Sequence, residues 1–179
     1  MLSFRVDVAS LKKQLDRELM RLSAKIPQAI ARGLNEGGDK VRTQVQHALQ
    51  RQTGLTMYSS VTSRVHTMRA YPGMLNYQII AKGKPGIPIK EFRAILRPRG
   101  VVAFPWGKEH DFKRSFVGKG RVSGSFLARL GKERFPLRRL FGPSLAKELD
   151  KDESAQAFNS GASAFVPPAI EKHLDKLLG

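Results

Sequence analysis

Between Leu11 and Leu49 the apolar residues fall three or four positions apart: Leu11, Leu15, Leu19, Leu22, Ile26 and Ile30, then Leu34, Val41, Val45 and Leu49. That spacing lays them along one stripe of an amphipathic helix, which needs other elements to cover it. Pro27 stands in the middle of the run. It lacks an N–H and disfavours helical geometry at Ile26, so the pattern predicts one helix over 10–25 and a second over 27–51, with Pro27 in its first turn. Gly37-Gly38 is a weak point in the second helix, at roughly 1 kcal/mol per glycine relative to alanine. Thr53-Gly54 supplies the stop, glycine being suited to a left-handed cap. Ahead of the helices, Phe4, Val6 and Val8 alternate with polar residues, a short strand signal.

After the helical part, which spans about 10–52, the period changes. TMYSSVTSRVH (56–66) fits a short helix through Met57, Val61 and Val65, while its β-branched content favours a strand. LNYQIIAKG reads as a strand ending at Lys82-Gly83, and KPGIPIKEF as a turn-rich connector. RAILRPRGVVAFPW reads as a hairpin turning near Pro98-Arg99-Gly100. Residues 107–125 are polar, glycine-rich and basic, the composition of a loop or a long hairpin tip. Strand character resumes at Phe126, Leu127 and Leu130 and again over Leu137–Phe141, then Gly142-Pro143-Ser144 breaks it. Helices are expected at about 145–158 and from Pro167 to Leu178, joined by SGASA (160–164) as a linker. Helices, then a sheet over about 65–141, then helices over about 143–179 make an α+β fold with a central antiparallel sheet and a basic loop. At 179 residues this is one domain.

The charge is concentrated in the sheet part. The chain holds 32 Lys and Arg against 15 Asp and Glu, a formal +17. Residues 1–55 carry ten basic and five acidic side chains; 56–141 carry eighteen and four; 142–179 carry four and six. The middle third is therefore +14 while the tail is −2. Such an excess calls for an anionic partner: nucleic acid, a membrane surface or an acidic protein face. No stretch approaches the ~20 consecutive apolar residues of a membrane span, and the amino terminus reaches Arg5 without the apolar core of a signal peptide.

Catalytic patterns are missing. Without cysteine there is neither a disulfide framework nor a thiolate metal site. His47, His66, His110 and His173 include no i, i+4 pair, and His110-Asp111 are neighbours that a strand would turn to opposite faces. GKGRVSGS (118–125) has glycines, lysine and serine but not the G-x-x-x-x-G-K-[ST] order of a phosphate loop. No G-x-S-x-G occurs, and four carboxylates in the middle third are thin stock for acid–base work. The expectation is a non-enzyme with no cofactor and no metal. The aromatics of the basic third, Phe104 and Trp106 among them, fit a buried sheet face better than the stacking platform of a single-strand-binding protein. Arg134, Arg138 and Arg139 suit phosphates and carboxylates alike.

Four segments taken in order, LNEGGDKVRTQVQHALQRQTGL (34–55), AKGKPGIPIKEF (81–92), RGVVAFPWGK (99–108) and GKERFPLRRLFGPSLAKEL (131–149), carry a resemblance. The succession resembles the minor tail protein Z family of lambda-like phages and prophages, also called tail completion proteins. In that family a helix ends in a Gln-Thr-Gly turn. A G-x-P-x-P-(L/I) connector follows, then a strand pair around Trp-Gly, and finally an arginine-rich approach to Gly-Pro-Ser ahead of C-terminal helices. The matching residues are Gln52-Thr53-Gly54, Lys84 through Ile89, Trp106-Gly107, and Arg134 through Ser144. Gly86 is an insertion in the connector, and EHDFKRS (109–115) lengthens the hairpin after Trp106-Gly107.

The resemblance implies a structural virion protein with no catalytic residues. It would be assembled in the host cytoplasm and placed at the head-proximal end of a long non-contractile tail, to make that tail competent to join a filled head. The implied partners are the tail terminator, the tail tube and the head–tail connector, with a homo-oligomeric ring of identical subunits. The assembly interface expected on this basis comprises Arg134, Arg138, Arg139, Phe141, Gly142, Pro143, Ser144 and Trp106, a joint whose arginines face an acidic neighbour. One candidate neighbour is the KELDKDES stretch (147–154) of another copy. The alternative is a basic nucleic-acid-binding module that contacts genome DNA non-specifically at the neck.

Overall fold

The computed structural model describes residues 8–82, 86–120 and 123–178. The chain is α+β. Helix α1 (Val8–Thr53) and helix α4 (Asp152–Leu178) run side by side, and among the described residues eight short strands, two short α-helices and two single 3-10 turns lie between them in sequence. The strand signal at Phe4 and Val6 falls outside the described residues.

The two helices expected at the amino end are one. α1 continues for 46 residues straight through Pro27. A proline inside a helix removes one i→i−4 hydrogen bond, a local cost of about 3 kcal/mol. Here the helical turns that follow it are held from outside, on α4. Pro27 is thus interior to the helix and not in the first turn of a second one.

Gly37 and Gly38 explain part of that hold. A Cβ on Gly33 would stand 2.5 Å from the Ile170 Cα, and one on Gly37 2.8 Å from the Val166 Cα. A Cβ on Gly38 would meet the Tyr77 ring at 2.6 Å. The glycines let α4 and the strand region approach the α1 backbone itself, so their propensity cost is offset by contact. From α4, Gly161 lies against Val41 and Gln44. SGASA is therefore helix and not linker: its small residues form the face of α4 that fits closely on α1, and α4 runs on through Pro167-Pro168. Pairing of Gly33 with Ile170 and Gly37 with Val166 makes the two helices antiparallel. In that register Leu178 falls opposite about residue 25, so α1 extends past α4 by roughly 25 Å at 1.5 Å per residue.

α1 ends where expected. Gly54 takes φ +75°, its N–H and that of Leu55 reach back to the Arg51 and Gln50 carbonyls, and Thr53 Oγ1 caps Leu49 O at 2.6 Å. Residues 56–66 contain both alternatives in turn, helix α2 (Tyr58–Thr62) and then strand β1 (Val65–Met68). β1 pairs antiparallel with β2 (Gln78–Ala81).

The central sheet is divided. Beside β1–β2 stand β3 (Ile95–Arg97), β4 (Gly100–Ala103) and β5 (His110–Lys113) in one three-stranded sheet. β6 (Ser115–Val117), β7 (Phe126–Arg129) and β8 (Leu137–Arg139) form another. All pairings are antiparallel. The hairpin at Pro98–Gly100 is as expected, and the stretch 107–125, expected as a loop or a long hairpin tip, holds β5 and β6. Their side chains are largely exposed on one face, which gives them the polarity of a loop. Arg114, at φ +58°, turns the chain from one sheet into the next. Ser115 Oγ fastens that corner: it donates to the Phe112 carbonyl and accepts from the Val101 N–H at 2.7 Å.

One core joins these parts. Val41, Val45 and Leu49 of α1 meet Leu55, Val61, Val65, Ile87, Ile89, Phe92, Ala103, Ala128, Leu140 and Leu145. The last belongs to α3 (Leu145–Glu148), the short helix that replaces the first half of the helix expected at 145–158.

Candidate functional site

The expected interface centred on Gly142-Pro143-Ser144, and the structure turns that centre inward. Gly142 N–H donates to Ile87 O at 2.8 Å, Ile87 N–H to Pro143 O at 3.4 Å, and Ile89 N–H to Leu140 O at 3.1 Å. Phe141 bridges Pro88. Pro143 is buried, and Gly142 lies flat against the Phe92 ring, where a Cβ would collide with it. Ser144 opens α3, accepting from the Lys147 and Glu148 N–H groups. A glycine, a proline and a carbonyl already engaged in this way tie the chain together. Phe141 beside them is exposed, and Gly142 and Ser144 are half-buried.

Further contacts extend this junction. Phe92 O accepts from Phe104 N–H at 2.9 Å, and Glu91 O from Thr56 N–H at 3.0 Å. A Cβ on Gly54 would sit 2.6 Å from Phe104 O and 2.8 Å from Gly107 N, so the end of α1 presses on the Trp106-Gly107 turn. Gln52 reaches the other way: its Nε2 donates to Glu148 O and Oε2, and its Oε1 accepts from Ser154 N–H. Gly86, the insertion in the connector, approaches Gly142 O so closely that a Cβ would lie 2.7 Å away. The Gln-Thr-Gly turn, the connector, the Trp-Gly turn and the Gly-Pro-Ser segment thus pack on one another, though over 80 residues separate the first from the last.

The three arginines do not share a face. Arg138 and Arg139 are consecutive on β8 and project to opposite sides. Arg134 sits in the loop before β8 with its guanidinium 5.8 Å from the Phe135 ring centre. Arg139 and Phe141 do come together, lining a cleft of about 220 Å3 with Lys90 and Pro88. Trp106 belongs to another place and is not in the core. It lies 44% exposed in a tight turn at φ +54°, its ring 6.0 Å from that of His110, because the strand ends at Ala103 and period two no longer applies. His110 and Asp111 lie on β5, not in a loop, and both are exposed.

A basic surface that was not anticipated lies on the outer face of β6–β7–β8. The register places Phe116, Leu127 and Arg139 in one cross-strand row and Arg129 opposite Leu137 in the next. Arg114, Phe116, Arg129, Gly131 and Lys132 line a cleft of about 470 Å3, with the Arg129 guanidinium 5.5 Å from the Phe116 ring centre. Among the described residues no carboxylate stands within 4.0 Å of Arg114, Arg129, Lys132, Arg134, Arg138 or Arg139. Leu127-x-Arg129 carries the period of two that sets this face, and Phe116 joins it once 115–117 is read as strand.

The acidic stretch 147–154 is less available than its composition suggests. Glu148 is buried and accepts from Gln52, while Glu153 pairs with Arg51 at 3.5 Å. Asp150 and Asp152 remain exposed, beside Lys147 and Lys151.

Among the described residues, no group of His, Asp and Glu could hold a metal ion, and no helix is long and apolar enough to cross a membrane. No protein-family model, curated protein or solved structure matches the chain.

Proposed function

We propose that the chain is a structural virion protein of a long-tailed phage, acting as a tail completion protein at the head-proximal end of the tail. The observation that supports this is the convergence of the four segments that carry the resemblance to the minor tail protein Z family. Each touches at least one other through backbone hydrogen bonds or a glycine contact, around Phe92. The β7–β8 turn suits assembly: Phe135 is 65% and Leu130 60% exposed there, with the Arg134 guanidinium beside Phe135. Apolar anchors ringed by guanidinium groups are what protein interfaces enrich. The partners this reading names are the tail terminator, tail tube and head–tail connector, with copies of the chain arranged as a ring.

Tails assembled without this chain, mixed with filled heads, test the reading. Adding the purified protein is expected to restore joined, infectious particles, and the protein is expected to appear at one end of the tail in electron micrographs. Full infectivity in its absence would end the proposal.

A further inference from the structure

We propose that the outer face of the β6–β7–β8 sheet binds the phosphodiester backbone of a nucleic acid without regard to sequence. Arg114, Arg129 and Lys132 line one open cleft, and Arg139 lies on the same face one row away. None of the four has a carboxylate partner among the described residues. Four cations held on one side of a small sheet repel one another, and an anion with regularly repeated charge relieves that repulsion at several points together.

Charge complementarity decides against the 147–154 stretch of a second copy as the occupant. That stretch keeps only Asp150 and Asp152 free, and two lysines flank them, leaving little net charge to offer. The chemistry of the cleft also decides against an acidic protein. Its lining is cationic side chains and a glycine with a single aromatic ring, Phe116, already half-buried and covered by Arg129. A stable protein interface has an apolar core, whereas interfaces with nucleic acid are more polar and much more positive. Guanidinium and ammonium groups with no base-reading amides beside them position a backbone and carry no sequence information.

This inference goes beyond the assembly reading and is measured on the free protein, with no tails or heads present. Loss of either leaves the other standing. The experiment is fluorescence anisotropy with a mixed-sequence DNA duplex, the single strand of the same sequence, and polyglutamate as competitor, repeated across salt. Both DNAs are expected to bind at about 0.05 M salt. The logarithm of affinity should fall linearly with that of salt, at a slope near −0.9 for each phosphate neutralised on the duplex and near −0.7 on the single strand, so about −3 to −4 overall for the duplex. Arg129→Gln and Lys132→Gln should each weaken binding several-fold and reduce the slope by about 1. Lys172→Gln, which removes the same charge from α4, should change neither.

Three results would overturn the proposal. One is no DNA binding at low salt. Another is equal weakening by Lys172→Gln, since the total charge and not this face would then do the binding. The third is polyglutamate displacing the duplex at matched charge concentration, which would give the face to an acidic protein. Preference for the duplex or for the single strand identifies which form of backbone the sheet accepts, and either preference supports the inference.

Discussion

The helical half and the outer sheet treat charge in opposite ways. Along α1 and α4, Glu36 holds Lys172 at 2.7 Å and His173 at 2.9 Å. Asp39 takes Arg69, Arg42 and the Tyr77 hydroxyl, and Arg51 meets Glu153. On the face of β6–β7–β8 the cations have no such partners among the described residues. The best-paired carboxylates, Glu36 and Asp39, sit where the chain closes on itself, and the unmatched cations of this sheet sit where it faces outward. Net charge alone, +17 for the whole chain, conceals that division.

The largest effect is expected where the two halves meet. Phe92 is fully buried beneath Gly142, and Phe92→Ala should cost about 3–5 kcal/mol in a urea titration. A cost below about 1 kcal/mol would mean that the junction does not join the halves. Gly33→Ala comes next. In an exposed helix this substitution stabilises by about 1 kcal/mol. Here the added methyl is driven into the Ile170 backbone, and a loss of about 1–3 kcal/mol is expected, a reversal of sign that reports the close helix contact directly.

A smaller effect concerns pH. The hydrogen bond from Lys172, then that from His173, hold the Glu36 carboxyl below its ordinary value of 4.5. A carboxylate whose folded pKa is depressed stabilises the fold above its unfolded value, and that contribution is lost as pH falls through the folded value. The gap in thermal midpoint between the protein and Glu36→Gln should therefore be widest near neutrality and close below pH 4.5. A gap that stays constant with pH would show that this pair does not contribute as a charge. The smallest effect belongs to the outer sheet: Arg129→Gln should leave stability within about 0.5 kcal/mol, because its charge has no carboxylate partner to lose. Appreciable unfolding by this substitution would erase the contrast between the halves.

Some of this was legible in the sequence and some was not, for physical reasons. The stripe from Leu11 to Leu49, the stop at Gly54 and the hairpin at Pro98–Gly100 are local signals, and local geometry obeys them. Pro27, Gly37-Gly38, SGASA and Pro167-Pro168 are local signals too, but a neighbouring helix overrides them. A small residue reads as weakness along one chain and as fit between two. β5 and β6 escaped notice because short strands with one solvated face have the composition of a loop. The Gly-Pro-Ser break was visible at once. That its glycine is the seat of a phenylalanine fifty residues earlier depends on how the chain returns, which no local pattern records.

The overhang of α1 beyond α4 acts as a ruler. Since the helix register with α4 begins only near residue 25, residues inserted before that point move the amino end outward by about 1.5 Å each, and turn it about its axis by roughly a third of a turn. Adding seven residues there lengthens the reach by about 10 Å while nearly restoring its orientation. The distance at which the amino end is carried, and the direction it faces, can thus be tuned by length alone, leaving the helix pair and the sheets as they are.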